Sequence, residues 1–234
     1  MFYTKKNLQI NNFDTKKFNF LKLVEDHLKK NLNCDQVMDF HNYIPEDKMP
    51  KDIYEGTAHT YGHDLLYAID PIFKQAKIIK ASNIGFIELY KKFIKYLSEE
   101  IFKADIIFQK KPSLRIQYPN YTSYGKFHRD SDYNHPEEEI NIWLPITKTR
   151  NTASMFIESE VGKKDFKPMN LDFGQYLIFN SELMHGNKVN EEKYTRLSMD
   201  FRVMFKADYK KFTKSSATQN IKFQIGEYYD TLQT

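Results

Sequence analysis

The stretch Phe127-His128-Arg129-Asp130 decides how the rest of the chain reads. Taken as a strand, it places residues two apart on one face. His128 and Asp130 then present an imidazole and a carboxylate side by side. A metal held by such a pair needs a third ligand from a later element. Met184-His185-Gly186 supplies one, directly behind the strand-like run from Gly174 to Asn180.

Two histidines and one carboxylate on one face of a metal leave three positions open, the facial arrangement of non-haem iron(II) oxygenases. Two of these positions take the 1-carboxylate and 2-oxo groups of 2-oxoglutarate, and the third takes dioxygen. The far carboxylate of that cosubstrate needs a cation. Arginine serves best, because its planar fork makes two charge-assisted bonds. Arg196 lies eleven positions after His185 in Tyr194-Thr195-Arg196-Leu197-Ser198, and Ser198 shares its strand face, so both are assigned to the cosubstrate.

The alternation continues along that strand. Arg196, Ser198, Asp200 and Arg202 lie on one face, and Leu197, Met199, Phe201 and Val203 on the other. The polar face should line a cavity, while the apolar face packs outward beneath N-terminal helices. Arg202 either pairs with Asp200 or reaches the substrate.

Working outward, the chain divides into three regions. Residues 1–111 form a helical and loop region, 112–205 the β core, and 206–234 a C-terminal tail or lid, together one oxygenase domain. In the first region, Phe18 to Leu32 carries apolar residues at helical spacing, with Asp14-Thr15 as the cap. Ile84 to Phe102 repeats the pattern, with Ile87, Tyr90, Phe93, Ile94 and Leu97 on one stripe. Between them, Tyr43 to Gly62 reads as loop. The second region alternates short β-type runs with turn signals: Ser113–Tyr118, Lys126–Asp130, Ile140–Ile146, Ser154–Glu158, Gln175–Phe179 and Tyr194–Phe205. In the third, Ile221–Tyr229 is either a strand or a lid.

Composition sets bounds. The 234 residues have 41% apolar and 28% charged content, enough for a full core. Net charge is only +4, and Arg115, Arg129, Arg150, Arg196 and Arg202 are the only arginines. No basic cluster of the kind that reads nucleic acid is present. Cys34 is the single cysteine, which excludes an internal disulfide framework and fits a reducing compartment. No run approaches the ~18 apolar residues of a membrane span, and Met1 to Asn12 does not read as a signal peptide. These features point to a cytoplasmic protein with no membrane or nucleic-acid partner; the oligomeric state is open.

The residues resemble a known family. His128-x-Asp130, then His185, then Arg196 is similar to the 2-oxoglutarate/iron(II) dioxygenase superfamily. The local match is to its phytanoyl-CoA dioxygenase-like branch, with His-Gly-Ser, an Asn five after the His and an Arg eleven after it. This chain reads His185-Gly186-Asn187, Asn190 and Arg196, with Asn187 where that branch has a serine that helps bind cosubstrate. The stretch from Leu114 to Phe205 also resembles oxygenases of bacterial streptomycin-type biosynthesis clusters, which share an Asn-x-Trp-x-Pro, here Asn141-Ile142-Trp143-Leu144-Pro145. The resemblance implies a double-stranded β-helix (jelly-roll) core, mainly β, with helices on its outer face. It also implies Fe(II), 2-oxoglutarate and O2, with hydroxylation of an unactivated C–H bond of a small molecule of the sugar, amino-acid or natural-product type, and succinate and CO2 as by-products. No side-chain general base is assigned. Asp130 as third ligand argues against a halogenase.

The remaining assignments are these. Gln117, Asn187 and Trp143 join Arg196 and Ser198 at the cosubstrate, although Trp143 alternatively belongs to the core. Arg115, Tyr118, Asn141 and Arg202 are substrate candidates. Arg115 and Gln117 lie on the strand face opposite Tyr118, so only one set looks inward, and a polar pair suits a cavity. His59 and His63 lie near the substrate entrance, with a second metal site as the alternative. Tyr54, Tyr61, Tyr121 and Tyr124 are further candidates for substrate contact, and His135 for the mouth of the site. Glu137-Glu138-Glu139 reads as a solvated run. Competing readings are a protein or nucleic-acid oxygenase of the same superfamily, and a metal-binding β-barrel without catalysis. The six-residue spacing of Arg196 and Arg202 occurs in a nucleic-acid repair branch, but the Asn and Thr of that branch are absent between them.

Overall fold

The computed structural model describes residues 8–44, 85–122, 126–217 and 221–232. The stretch beyond Ile44, with Tyr54, His59, Tyr61 and His63, lies outside the described residues, as does Tyr124.

Among the described residues, two helices cover one face of the fold. Helix α1, Phe20–Leu32, buries Phe20, Val24 and Leu28, one residue per turn. Asn19 caps it, its Oδ1 accepting from Lys22 N–H at 3.0 Å. The expected cap, Asp14, instead holds the preceding turn, accepting from Lys16 N–H at 2.8 Å. Helix α2, Phe86–Tyr96, buries Phe86, Tyr90, Phe93 and Ile94, and a π-helical turn, Leu97–Phe102, prolongs it. Phe86 leads the buried stripe, and Ile87 is only half-buried.

The strands form two antiparallel sheets. They are β1 (Gln9–Asn12), β2 (Ile106–Gln109), β3 (Ser113–Gln117), β4 (Ile140–Pro145), β5 (Met155–Ile157), β6 (Lys167–Pro168), β7 (Gln175–Asn180), β8 (His185–Asn187), β9 (Arg196–Phe205) and β10 (Tyr229–Thr231). The larger sheet runs β1-β7-β4-β9-β2-β10, with β3 also on β9, and the smaller runs β6-β5-β8. In register, Gln117 faces Arg196, Arg115 faces Ser198, and Asn141 faces Arg202. That register carries the polar face of β9 into the interior beside Gln117, Arg115 and Asn141.

The other face of the large sheet meets the helices. Ile140, Ile142 and Leu144 of β4, Tyr176 and Ile178 of β7, and Leu197, Met199, Phe201 and Val203 of β9 join one apolar cluster with Phe20, Tyr90 and Phe93. Rings meet edge to face: Tyr90–Phe201 at 5.0 Å and Phe93–Tyr176 at 5.5 Å between centroids. Each buried ring contributes about 1.5–3 kcal/mol. A smaller cluster between the sheets holds Trp143, Met155, Ile157, Leu177 and Phe179.

One segment differs from the sequence reading, and the choice left open for the tail, strand or lid, is narrowed. Lys126–Asp130 is not a strand. His128 makes an isolated bridge to His185, and Asp130 opens a 3-10 turn, Asp130–Tyr133. The tail 221–231 does not form a free lid: β10 pairs with β2. Phe223, Tyr228 and Tyr229 pack with Ile107 and Met204.

Candidate metal centre

His128, Asp130 and His185 come together although they lie on a bridge, a turn and a strand. Reciprocal backbone bonds of 3.0 Å join residues 128 and 185, and Asp130 N–H donates to Ser181 O at 3.1 Å. Gly186 allows the close approach: a Cβ there would stand 2.9 Å from Phe127 Cα. Asp130 Oδ1 lies 3.7 Å from His128 Nε2 and 3.8 Å from His185 Nε2. One ligand atom from each residue lies within 4.8 Å of the others, a grouping that no other His, Cys, Asp or Glu set among the described residues matches.

The donor set fits a divalent transition metal. Each imidazole Nδ1 bonds a carbonyl, Lys126 O at 2.7 Å for His128 and Leu183 O at 2.9 Å for His185. These bonds place the ring proton on Nδ1 and leave the Nε2 lone pairs for a metal. Burial, then the neighbouring His185, pushes His128 down to about 4, so its ring is neutral at neutral pH. Burial pushes Asp130 up, but Arg202 and His185, His135 and His128 together outweigh it, and its carboxyl stays well below the usual range.

Asp130 is held from behind. Asn141 Nδ2 donates to its Oδ2 at 2.8 Å, and Arg202 Nε donates to the same oxygen at 3.1 Å. Arg202 Nη1 also donates to Asp200 Oδ2 at 3.0 Å. Of the two readings of Arg202, the pairing with Asp200 is present, and the guanidinium also pairs with the Asp130 carboxylate. Asp200 in turn accepts from Arg115 through both oxygens, at 2.7 and 3.3 Å.

The cavity beside these residues has about 470 Å³ of empty volume, its open mouth included. Asn187, Arg196, Arg115, Trp143 and Met155 contribute to its walls, with His128 and His185. Arg196 is 1% exposed. Its Nη1 donates to Ser198 Oγ at 2.8 Å, and its Nη2 to Gln117 Oε1 at 2.9 Å and Asn187 Oδ1 at 2.8 Å. All three partners are neutral, Nε has no hydrogen-bond partner, and no ion pair reaches this guanidinium among the described residues. Burial, then Arg115, pushes Arg196 down to about 9. A buried cation with only neutral partners is costly until an anion arrives, so this end of the cavity fits a carboxylate.

Most assigned residues meet here, with different roles from those the sequence suggests. Ser198 and Gln117 hold the Arg196 guanidinium and do not line the cavity. Trp143 both lines the cavity and belongs to the apolar cluster between the sheets. Tyr118 is not at the site: it faces outward, 2% exposed, its ring 6.1 Å from that of Phe40. His135 is not at the mouth. Its ring packs against Phe223, and its Nδ1 lies 2.7 Å from Glu139 Oε2. The triple glutamate is not a solvated run either, since Glu138 and Glu139 are buried and Glu139 accepts from Tyr229 O–H at 2.5 Å. The four-residue spacing of His135 and Glu139 was the one signal for this buried pair.

No family model matches the chain. In sequence it is similar to the streptomycin biosynthesis protein StrG of Streptomyces griseus, 30% identical over 128 residues, which is 54% of this chain and 61% of that protein. The chain thus spans less than two thirds of this relative. Among solved structures it is similar to EctD from S. alaskensis in its apoform, with a TM-score of 0.50 and 10% identity over 94% of this chain and 81% of that one. It is also similar to the non-heme alpha ketoglutarate dependent carbocyclase SnoK from nogalamycin biosynthesis, with a TM-score of 0.48 and 10% identity over 98% and 94% of the two chains. No described helix is long and apolar enough to cross a membrane. The chain has the double-stranded β-helix fold of the 2-oxoglutarate/iron(II) oxygenases, the superfamily that its His-x-Asp, distal His and Arg motifs resemble.

Proposed function

We propose that this chain is an Fe(II)- and 2-oxoglutarate-dependent dioxygenase that hydroxylates an unactivated C–H bond of a small molecule, of the sugar, amino-acid or natural-product type. One observation carries this reading: a His–Asp–His set and a buried, anion-lacking arginine share one cavity. A metal site alone needs no such arginine. The natural-product class is supported by the similarity to a protein of streptomycin biosynthesis.

His128, Asp130 and His185 would hold the iron on one face, leaving three positions for cosubstrate and dioxygen. Arg196 would bind the far carboxylate of 2-oxoglutarate, with Gln117, Asn187 and Ser198 fixing its fork. When bound, iron and 2-oxoglutarate supply the oxidising power: substrate, 2-oxoglutarate and O2 become hydroxylated substrate, succinate and CO2. Trp143, Met155 and Phe179 wall the cavity with apolar surface and limit water near the metal. Proton transfer by a side chain is not required, and none is assigned.

The test is succinate release from 2-oxoglutarate under air, with and without Fe(II), across panels of sugars, amino acids and aminocyclitols. Iron-dependent succinate that rises with one panel member, whose mass increases by one oxygen, is the expected result. Iron binding with no 2-oxoglutarate binding would return the chain to a metal-binding barrel.

A further inference from the structure

Asp130 has two oxygens, and the structure treats them differently. Oδ1 faces the two Nε2 atoms, while Oδ2 accepts from Asn141 Nδ2 at 2.8 Å and Arg202 Nε at 3.1 Å. Arg202 Nη2 completes the fork at 3.2 Å from Oδ1.

Asn141 carries a second signal. It sits on β4 between the buried Ile140 and Ile142, and its own Oδ1 is buried with no hydrogen-bond partner. The amide cannot be turned to satisfy that oxygen, because the turn would set it against the Asp130 carboxylate. An unmet buried carbonyl is destabilising, and an aliphatic residue on this strand would avoid it. The amide at this position serves Asp130 at the expense of stability. Arg202 is equally committed: Asp200 holds it from the far side, and Arg115 holds Asp200.

We infer that Asn141 and Arg202 are positioning residues that keep Asp130 a one-oxygen ligand. With Oδ2 occupied, the carboxylate cannot chelate, and an octahedral ion keeps three open positions, the number that a two-point cosubstrate plus dioxygen requires. Released, Asp130 would bind through both oxygens and close one position. This inference deepens the iron/2-oxoglutarate reading and rests on it for its purpose, but not for its test.

Mn(II) is the probe. Water ligands on the bound ion are counted by pulsed electron-nuclear double resonance in wild type, Asn141→Ala and Arg202→Lys, and 2-oxoglutarate affinity is measured by titration of each Mn(II) complex. Arg202→Lys retains the charge and loses the fork, and Asn141→Ala removes one neutral donor and leaves the ion pair, so it should fold even where Arg202→Lys does not. The expected result is one water fewer in the variants. A loss of 2-oxoglutarate affinity of about tenfold or more should accompany near-unchanged Mn(II) affinity. Wild-type water counts and wild-type 2-oxoglutarate affinity in the folded variants would overturn the inference. Should the wild type bind Mn(II) but not 2-oxoglutarate, the function proposed above fails, and the water count alone still decides the role of Asn141 and Arg202.

Discussion

Asn187 Oδ1 accepts a hydrogen bond from Arg196 Nη2 at 2.8 Å. The side chain that replaces the serine of similar oxygenases therefore supports the clamp and presents its carbonyl to the arginine. Removing it leaves Arg196 with fewer restraints. Asn187→Ala should weaken 2-oxoglutarate binding by about tenfold, the size of one charge-assisted hydrogen bond, with metal affinity unchanged. Calorimetric titration of the metal complex checks this, and an equal loss of metal affinity would speak against a role confined to the clamp.

Arg196 should be dispensable for folding and indispensable for the cosubstrate. Its partners are all neutral, so Arg196→Met removes a buried cation without stranding a buried anion. We expect a melting temperature within a few degrees of wild type and a 2-oxoglutarate affinity reduced by about a hundredfold or more. Thermal melts and titration on the same preparation separate the two effects.

The metal-free protein should lose stability in mild acid. The unfolded chain protonates His128 near 6.5, and the folded chain only near 4. Between those values the unfolded state holds more protons, so stability falls as pH is lowered through this window. The shift corresponds to about 3 kcal/mol. Asp130, whose carboxyl is depressed, acts in the same direction at lower pH: its contribution is present above 3.8 and is lost below it. Urea unfolding of apoprotein between pH 4 and 7 measures the slope, and His128→Gln should flatten it.

Gly186→Ala should damage the metal site without touching a ligand. The added Cβ would meet Phe127 Cα at 2.9 Å and its N at 3.0 Å, so backbone must move beside the His128–His185 bridge. We predict weaker metal binding, by about tenfold or more, with secondary structure retained by circular dichroism.

The sequence carried the fold where periodicity is local. In β9, four polar residues alternating with Leu197, Met199, Phe201 and Val203 defined both faces, and both lie where that alternation puts them. The grouping of His128, Asp130, His185 and Arg196 around one cavity was legible because they are rare chemistry at telling spacings. What was not legible depends on contacts distant along the chain. Residues 126–130 have strand-like spacing, yet the pairing of residue 128 with 185 and the bond from Asp130 N–H to Ser181 replace the ladder with a bridge and a turn. Arg202 and Asp130 are 72 positions apart, and nothing local pairs them. Glu139 looked solvated in a run of three glutamates, because its partner Tyr229 is 90 positions away.

One cavity is proposed to hold iron through His128, Asp130 and His185 and 2-oxoglutarate through Arg196. Anaerobic addition of Fe(II) and then 2-oxoglutarate to the apoprotein, followed by visible absorption, tests it most directly. A weak metal-to-ligand charge-transfer band in wild type, absent in His185→Ala and diminished in Arg196→Met, is the predicted result. Fe(II) binding with no such band at saturating 2-oxoglutarate would mean that the cavity does not hold the two together.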